Sequence, residues 1–136
     1  MGITDPLRKE LMVRAGEVRR LAYAPYSHYP VGAALLADSG KIYTGVNVEN
    51  AAYPTGMCAE RTALFNAVSH GERVFRAIAV VTENGGSPCG ACRQALSEFG
   101  LETQVLISDV EGHVVLETTI GELLPQAFGP GDLGGQ

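Results

Sequence analysis

The sequence predicts an α/β fold, a three-layer α/β/α sandwich built on a mixed five-stranded sheet. Three observations predict it. Apolar residues near the N-terminus recur at spacings of three and four, the period of a helix with one buried face. Five short segments have strand character, and the first two and the last two are each joined by a tight turn. Between those pairs, helix, strand and helix alternate, which brings helices to both faces of a sheet. The order along the chain is α-β-β-α-β-α-β-β-α.

The first helix starts at Asp5-Pro6, with Thr4 or Asp5 as its cap and Pro6 in the first turn, where a missing N–H is tolerated. Leu7, Leu11, Ala15, Val18 and Ala22 form its inward stripe, and it ends before Pro25. Tyr26 to Pro30 is a loop. Val31–Leu36 and Lys41–Val46 make a hairpin around Asp38-Ser39-Gly40. Asn47–Met57 is an irregular stretch of eleven residues, and loops that long in a small domain tend to carry function. A second helix spans Cys58–Ser69 and turns Ala59, Ala63, Leu64, Ala67 and Val68 inward.

Ala77–Val81 is continuously apolar, as a strand buried on both faces must be. Asn84-Gly85-Gly86-Ser87 is a loop, and Pro88 introduces a third helix that runs through Glu98. Gln104–Ile107 is a strand, and after a turn at Asp109–Gly112 the chain returns as His113–Glu117. Thr119 and Glu122 fit a capping box over a short last helix that stops at Pro125. Residues 129–136, with four glycines and a proline, read as a frayed tail on a single domain spanning 1–136.

Composition limits the function. An apolar fraction of 46% with 18% charged residues excludes a disordered chain. Ten basic residues against fifteen acidic ones give a net charge of −5, which argues against a nucleic-acid polymer as partner and leaves a small neutral or weakly polar ligand open. No stretch approaches the roughly 20 apolar residues of a membrane span. The N-terminus has no apolar signal-peptide core, and Pro6 breaks the myristoylation pattern, so the expected location is the cytoplasm. Three cysteines cannot all pair within one chain, and a reducing compartment keeps thiols free.

Those cysteines are the main functional signal. Cys89-Gly90-Ala91-Cys92 puts two thiols in the first turn of a helix, and Cys58 also stands at a helix start. A helix N-terminus carries partial positive charge and favours the thiolate. Three thiolates aimed at one point suit Zn²⁺, and three protein ligands leave the open fourth position of a catalytic rather than a structural site. Glu60 lies two residues beyond Cys58, near the metal without being needed as a ligand, where a carboxylate can carry a proton to or from water. Arg61 is the candidate to offset the excess thiolate charge by donating to the sulfurs.

Taken alone, Cys89 and Cys92 also fit a redox pair, although that leaves Cys58 and Glu60 idle. His28, His70 and His113 have no metal-ligand spacing to the cysteines and read as surface or loop residues. Asn47 and Glu49 alternate at the end of the hairpin, so both can point the same way. From the residues alone they are equally a binding pair or a solvated strand end.

Cys58-Ala59-Glu60 followed by Pro88-Cys89-Gly90-Ala91-Cys92 resembles the zinc nucleoside and nucleobase deaminase signature. The likeness extends from about Tyr23 to Phe128. It takes in Tyr26-Ser27-His28-Tyr29-Pro30-Val31-Gly32-Ala33-Ala34-Leu35, Gly45-Val46-Asn47-Val48-Glu49-Asn50-Ala51, Arg61-Thr62-Ala63, Arg93-Gln94 and Leu123-Leu124-Pro125-Gln126-Ala127-Phe128. The whole set is similar to the small homotetrameric cytidine deaminases.

That resemblance implies hydrolytic deamination of cytidine and 2′-deoxycytidine, with one Zn²⁺ per chain on Cys58, Cys89 and Cys92. Glu60 would carry protons to ring N3 and to the leaving ammonia. It implies that Asn47 and Glu49 bond the ribose 3′-hydroxyl, that the Ala59 N–H meets the base carbonyl, and that Tyr29, where the family usually has phenylalanine, packs against the pyrimidine. Phe128 would reach a neighbouring subunit's active site. Tyr53, by its place in the loop before the second helix, is a candidate for subunit contacts. Two alternatives stay open at this point: a deaminase of a nucleoside antibiotic such as blasticidin S, and a non-catalytic zinc module that binds a partner.

Overall fold

In the computed structural model, which describes residues 2–134, nine regular elements follow one another in the predicted order. They are α1 (Asp5–Arg19), β1 (Gly32–Ala37), β2 (Ile42–Val46), α2 (Ala59–Ser69), β3 (Phe75–Thr82), α3 (Gly90–Ser97), β4 (Gln104–Asp109), β5 (Val114–Thr119) and α4 (Ile120–Leu123). Short 3-10 turns occupy Tyr53–Thr55 and Pro130–Leu133.

The five strands form one mixed sheet in the order β2-β1-β3-β4-β5. β3 is central, antiparallel to β1 and parallel to β4, while β1–β2 and β4–β5 are antiparallel hairpins. The parallel β3–β4 pair needs a crossover, and α3 supplies it. Strand side chains alternate between faces, so a sheet covered on both sides has apolar residues throughout. Ala34, Leu36, Ala77, Ala79, Val81 and Leu106 pack against Leu11 and Ala15 of α1. On the opposite face, Ala33, Leu35, Ile78, Val80, Val105 and Ile107 pack against Ala59, Ala63, Leu64 and Ala67 of α2, Leu96 of α3 and Ile120 of α4.

Small residues set the height of α2 over the sheet. A Cβ on Gly45 would stand 2.8 Å from the Ala59 carbonyl oxygen, so the bare glycine in β2 lets the first turns of α2 rest on the strand. That close approach holds Cys58 and Glu60 at the sheet's edge.

Some boundaries differ from the sequence expectation. α1 ends at Arg19 rather than near Pro25, because Tyr23 leaves the helix to pair with the segment after β2. Its N–H donates to Asn47 O at 3.0 Å and its carbonyl accepts from Glu49 N at 2.8 Å. Leu11 and Ala15 are fully buried, Leu7 and Val18 are half-buried, and Ala22 lies beyond the helix. Thr4 is the N-cap of α1 but its side chain makes no capping bond; Pro6 lacks one of the N–H groups a cap would serve. The box over α4 is half made. Thr119 Oγ1 accepts the Glu122 N–H at 3.2 Å, but the Glu122 carboxylate accepts from the Thr118 hydroxyl instead. In the tail, the Gly129 N–H donates to Asp132 at 2.8 Å, and residues 135–136 lie outside the described residues. Among the described residues, no helix is long and apolar enough to cross a membrane.

Candidate active site

Two helix starts bring the three cysteines together. Cys58 is the N-cap of α2, Cys89 is the N-cap of α3, and Cys92 sits in the first turn of α3. Their Sγ atoms all lie within 4.8 Å of one another, with Cys58 and Cys89 3.8 Å apart. The loops feeding the helices are pinned. Val48 and Met57 exchange backbone bonds of 2.9 Å just before Cys58. Ahead of Cys89, Arg93 donates from Nε to Pro88 O at 2.8 Å, from Nη2 to Ser87 Oγ at 2.9 Å and from Nη1 to Leu123 O at 2.8 Å. One guanidinium thus ties the metal loop to the end of α4.

Three soft thiols converging at this spacing fit one zinc ion, and among the described residues no fourth Cys, His, Asp or Glu joins the cluster. A zinc ion held by these three thiols would keep one coordination position for water or substrate. The Cys58 thiol is lowered to about 5, first by its bond with Cys92 and then by Arg61 and Cys89, against the effect of burial. Cys92 moves the opposite way, raised by its bond with Cys58, by burial and by the nearby Glu60 carboxylate. Arg61 is held above its ordinary range by both sulfurs. Glu60 is 5% exposed. Burial raises its pKa, and the Cys58 charge adds to the effect.

Beside the thiols lies a cleft of about 250 Å³ lined by Tyr29, Asn47, Glu49, Ala59, Glu60 and two of the cysteines, Cys58 and Cys89. Every substrate-contacting residue expected from the sequence is therefore at one place except Phe128. That ring is 57% exposed and faces a separate hollow with Gln94, Pro130 and Leu133. The Phe128 carbonyl is held by Gln94 Nε2 at 2.9 Å.

Asn47 is not a solvated strand end. It is buried, its Oδ1 accepts the Val31 N–H at 2.9 Å, and its Nδ2 donates to Tyr29 O at 2.9 Å. One amide hydrogen is left over. Glu49 Oε1 accepts from the Tyr26 and Ser27 N–H groups at 3.0 and 3.1 Å, and Oε2 accepts from the Ser27 hydroxyl. Those Ser27 bonds hold its carboxyl below the usual range, so it stays charged. The Tyr29 hydroxyl donates to Asn84 Oδ1 at 2.6 Å. The rings of Tyr26 and Tyr53 meet edge to face, 6.0 Å between centroids, and Tyr53 is exposed.

Sequence reasoning missed four supports of this site: Ser27 under Glu49, Asn84 and Thr82 around Tyr29, and the Arg93 clamp. Ser27 and Arg93 stand inside segments that carry the deaminase likeness, but their partners lie 22 and up to 30 residues away. Asn84 sits in a glycine-rich loop that has no local signal beyond the turn.

A mixed sheet that presents three thiols from two helix starts, beside a buried carboxylate free of the metal, defines a zinc hydrolase of the nucleobase-deaminase class. The family model for the cytidine and deoxycytidylate deaminase zinc-binding region matches residues 6–108, and the chain belongs to that family. It is 50% identical to the cytidine deaminase of Sporosarcina psychrophila over 92% of this chain and 93% of that one. It is 46% identical to the cytidine deaminase of Halalkalibacterium halodurans over 93% and 97% of the two chains. The crystal structure of cytidine deaminase from Burkholderia pseudomallei superposes with a TM-score of 0.84 at 47% identity, covering 93% of this chain and 100% of the other.

Proposed function

We infer that the chain catalyses the zinc-dependent hydrolytic deamination of cytidine and 2′-deoxycytidine, giving uridine or 2′-deoxyuridine and ammonia. The observation that carries this reading is Glu60, buried at the start of α2 and lining the same cleft as Cys58 and Cys89 while standing outside the thiol cluster. A structural zinc site has no use for a buried, unligated carboxylate.

Cys58, Cys89 and Cys92 would hold the zinc, which when bound supplies a water of lowered pKa as nucleophile. The Glu60 carboxylate accepts a proton from the attacking water and delivers it to ring N3, which leaves C4 electron-poor. A second proton passes through the same carboxylate to the exocyclic nitrogen, which departs as ammonia. Burial favours the protonated form of Glu60, so the carboxyl can hold each proton between transfers. The first N–H of α2, on Ala59, has no partner within the helix and would meet the base carbonyl oxygen. The spare Asn47 hydrogen and the charged Glu49 suit the ribose 3′-hydroxyl, and Glu49 would repel a phosphate at that position.

The assembly belongs to the same proposal. Phe128 would complete the cleft of a neighbouring chain in a homotetramer, a reading supported by its 57% exposure and its place in a hollow other than its own cleft. Exposed Tyr26, Tyr53 and Val48 beside the cleft supply apolar surface for that contact. The cellular role is pyrimidine nucleoside salvage in the cytoplasm. Ammonia release from cytidine by the purified protein, with blasticidin S run in parallel, tests the activity. Rapid release from cytidine supports it, and release from blasticidin S alone overturns it.

A further inference from the structure

Tyr29 brings a hydroxyl to the wall of the cleft, and that hydroxyl is tied to a side chain of the chain itself. The hydroxyl donates to Asn84 Oδ1 at 2.6 Å. The same oxygen receives the Thr82 hydroxyl at 3.5 Å, and Thr82 Oγ1 accepts the Gly86 N–H at 2.8 Å. Asn84 Oδ1 can only accept, so the tyrosine proton is committed to it.

Gly86 makes room for this arrangement. A Cβ there would stand 2.5 Å from the Tyr29 oxygen, too close for any real contact, but 3.6 Å from Tyr29 Cζ, an ordinary van der Waals distance. Gly85 has a φ of 77, in the left-handed region, whereas Gly86 is not among the glycines at positive φ. The backbone at 86 therefore does not demand glycine; the Tyr29 oxygen does. Tyr29, Thr82 and Gly86 line the same cleft as Glu60 and Cys89, and Cys89 follows Gly86 by three residues.

We propose that Gly86 and Asn84 seat the Tyr29 hydroxyl and so fix the Tyr29 ring in the pose that meets the pyrimidine. A side chain at 86 would push the ring, since the ring is the movable partner and the loop is held by Thr82 and Arg93. Loss of Asn84 would release the hydroxyl, and with it the ring, from this seat. Both residues act through Tyr29 and are positioning residues. The inference rests on the deaminase reading above.

The test is a double-mutant cycle read in cytidine KM and kcat: parent, Gly86→Ala, Tyr29→Phe and the double variant. Gly86→Ala alone should raise KM about tenfold, the scale of one overpacked methyl group, and raise KM more than it lowers kcat. In the Tyr29→Phe background the same change should be silent, because the offending oxygen is gone. Asn84→Ala should likewise raise KM with Tyr29 present and be silent with phenylalanine, and it serves as the test if Gly86→Ala does not fold. Equal losses in both backgrounds, or no loss with Tyr29 present, overturn the inference. A parent that releases no ammonia from cytidine overturns the deaminase reading itself, so the two failures are distinct.

Discussion

Arg61 Nη2 donates to Cys58 Sγ at 3.4 Å, while its buried Nε finds no partner among the described residues. Residues three apart on a helix share a face, so the first turn of α2 folds the guanidinium back over the thiol at its own cap. Three thiolates around one Zn²⁺ would leave net negative charge and weaken the ion as a Lewis acid, and a guanidinium fixed here would offset it.

Arg61→Gln should keep the fold but lower zinc retention or turnover by about 10–100-fold. Metal content after chelator competition, measured with cytidine turnover, checks this. A variant matching the parent in both would leave Arg61 an ordinary helix residue.

Glu49 and Asn47 should separate in their effects. Glu49→Ala should reduce kcat/KM on cytidine by about 10–100-fold, the scale of a hydrogen bond to a charged group, and far less on 3′-deoxycytidine. Asn47→Ala should add a stability loss of roughly 1–3 kcal/mol, because its amide also holds the backbone of Tyr29 and Val31. Thermal unfolding together with kinetics on both nucleosides resolves the two. Equal losses on both substrates would mean that the pair serves the fold alone.

Phe128 should act in trans. Phe128→Ala should weaken activity mainly at low substrate, since a ring over the base excludes water and stacks with about 0.5–1.5 kcal/mol beyond its buried area. Mixing that variant with Glu60→Ala under subunit exchange should restore both groups at about a quarter of sites if each ring comes from one neighbour. Activity of the mixture at low substrate should exceed the sum of the two variants. Confirmed mixed oligomers with no such rise would place Phe128 in its own chain or in packing.

The layers and the metal ligands were legible because both depend on local pattern. Leu11 and Ala15 at four-residue spacing, the apolar run Ala77–Val81, and cysteines at two helix starts each declare themselves within a few residues. The end of α1 was not legible, because Tyr23 leaves the helix for a partner 25 residues away at Val48. Asn47 illustrates the same limit within the site. Its alternation with Glu49 could be read, but the use of its amide to clamp Tyr29 and Val31 is a tertiary fact. Gly86 looked like one more turn glycine, and only the position of the Tyr29 oxygen shows why it has no side chain.

The most direct test is turnover of zinc-loaded Glu60→Ala. This variant should fold and carry about one Zn²⁺ per chain, as three cysteine ligands require, because Glu60 is not among them. Its ammonia release from cytidine should fall by at least ~10²–10⁴-fold, the range of a lost general acid–base. Near-parental turnover in a protein that carries its zinc would contradict the assignment of proton transfer to Glu60, and with it the deaminase mechanism.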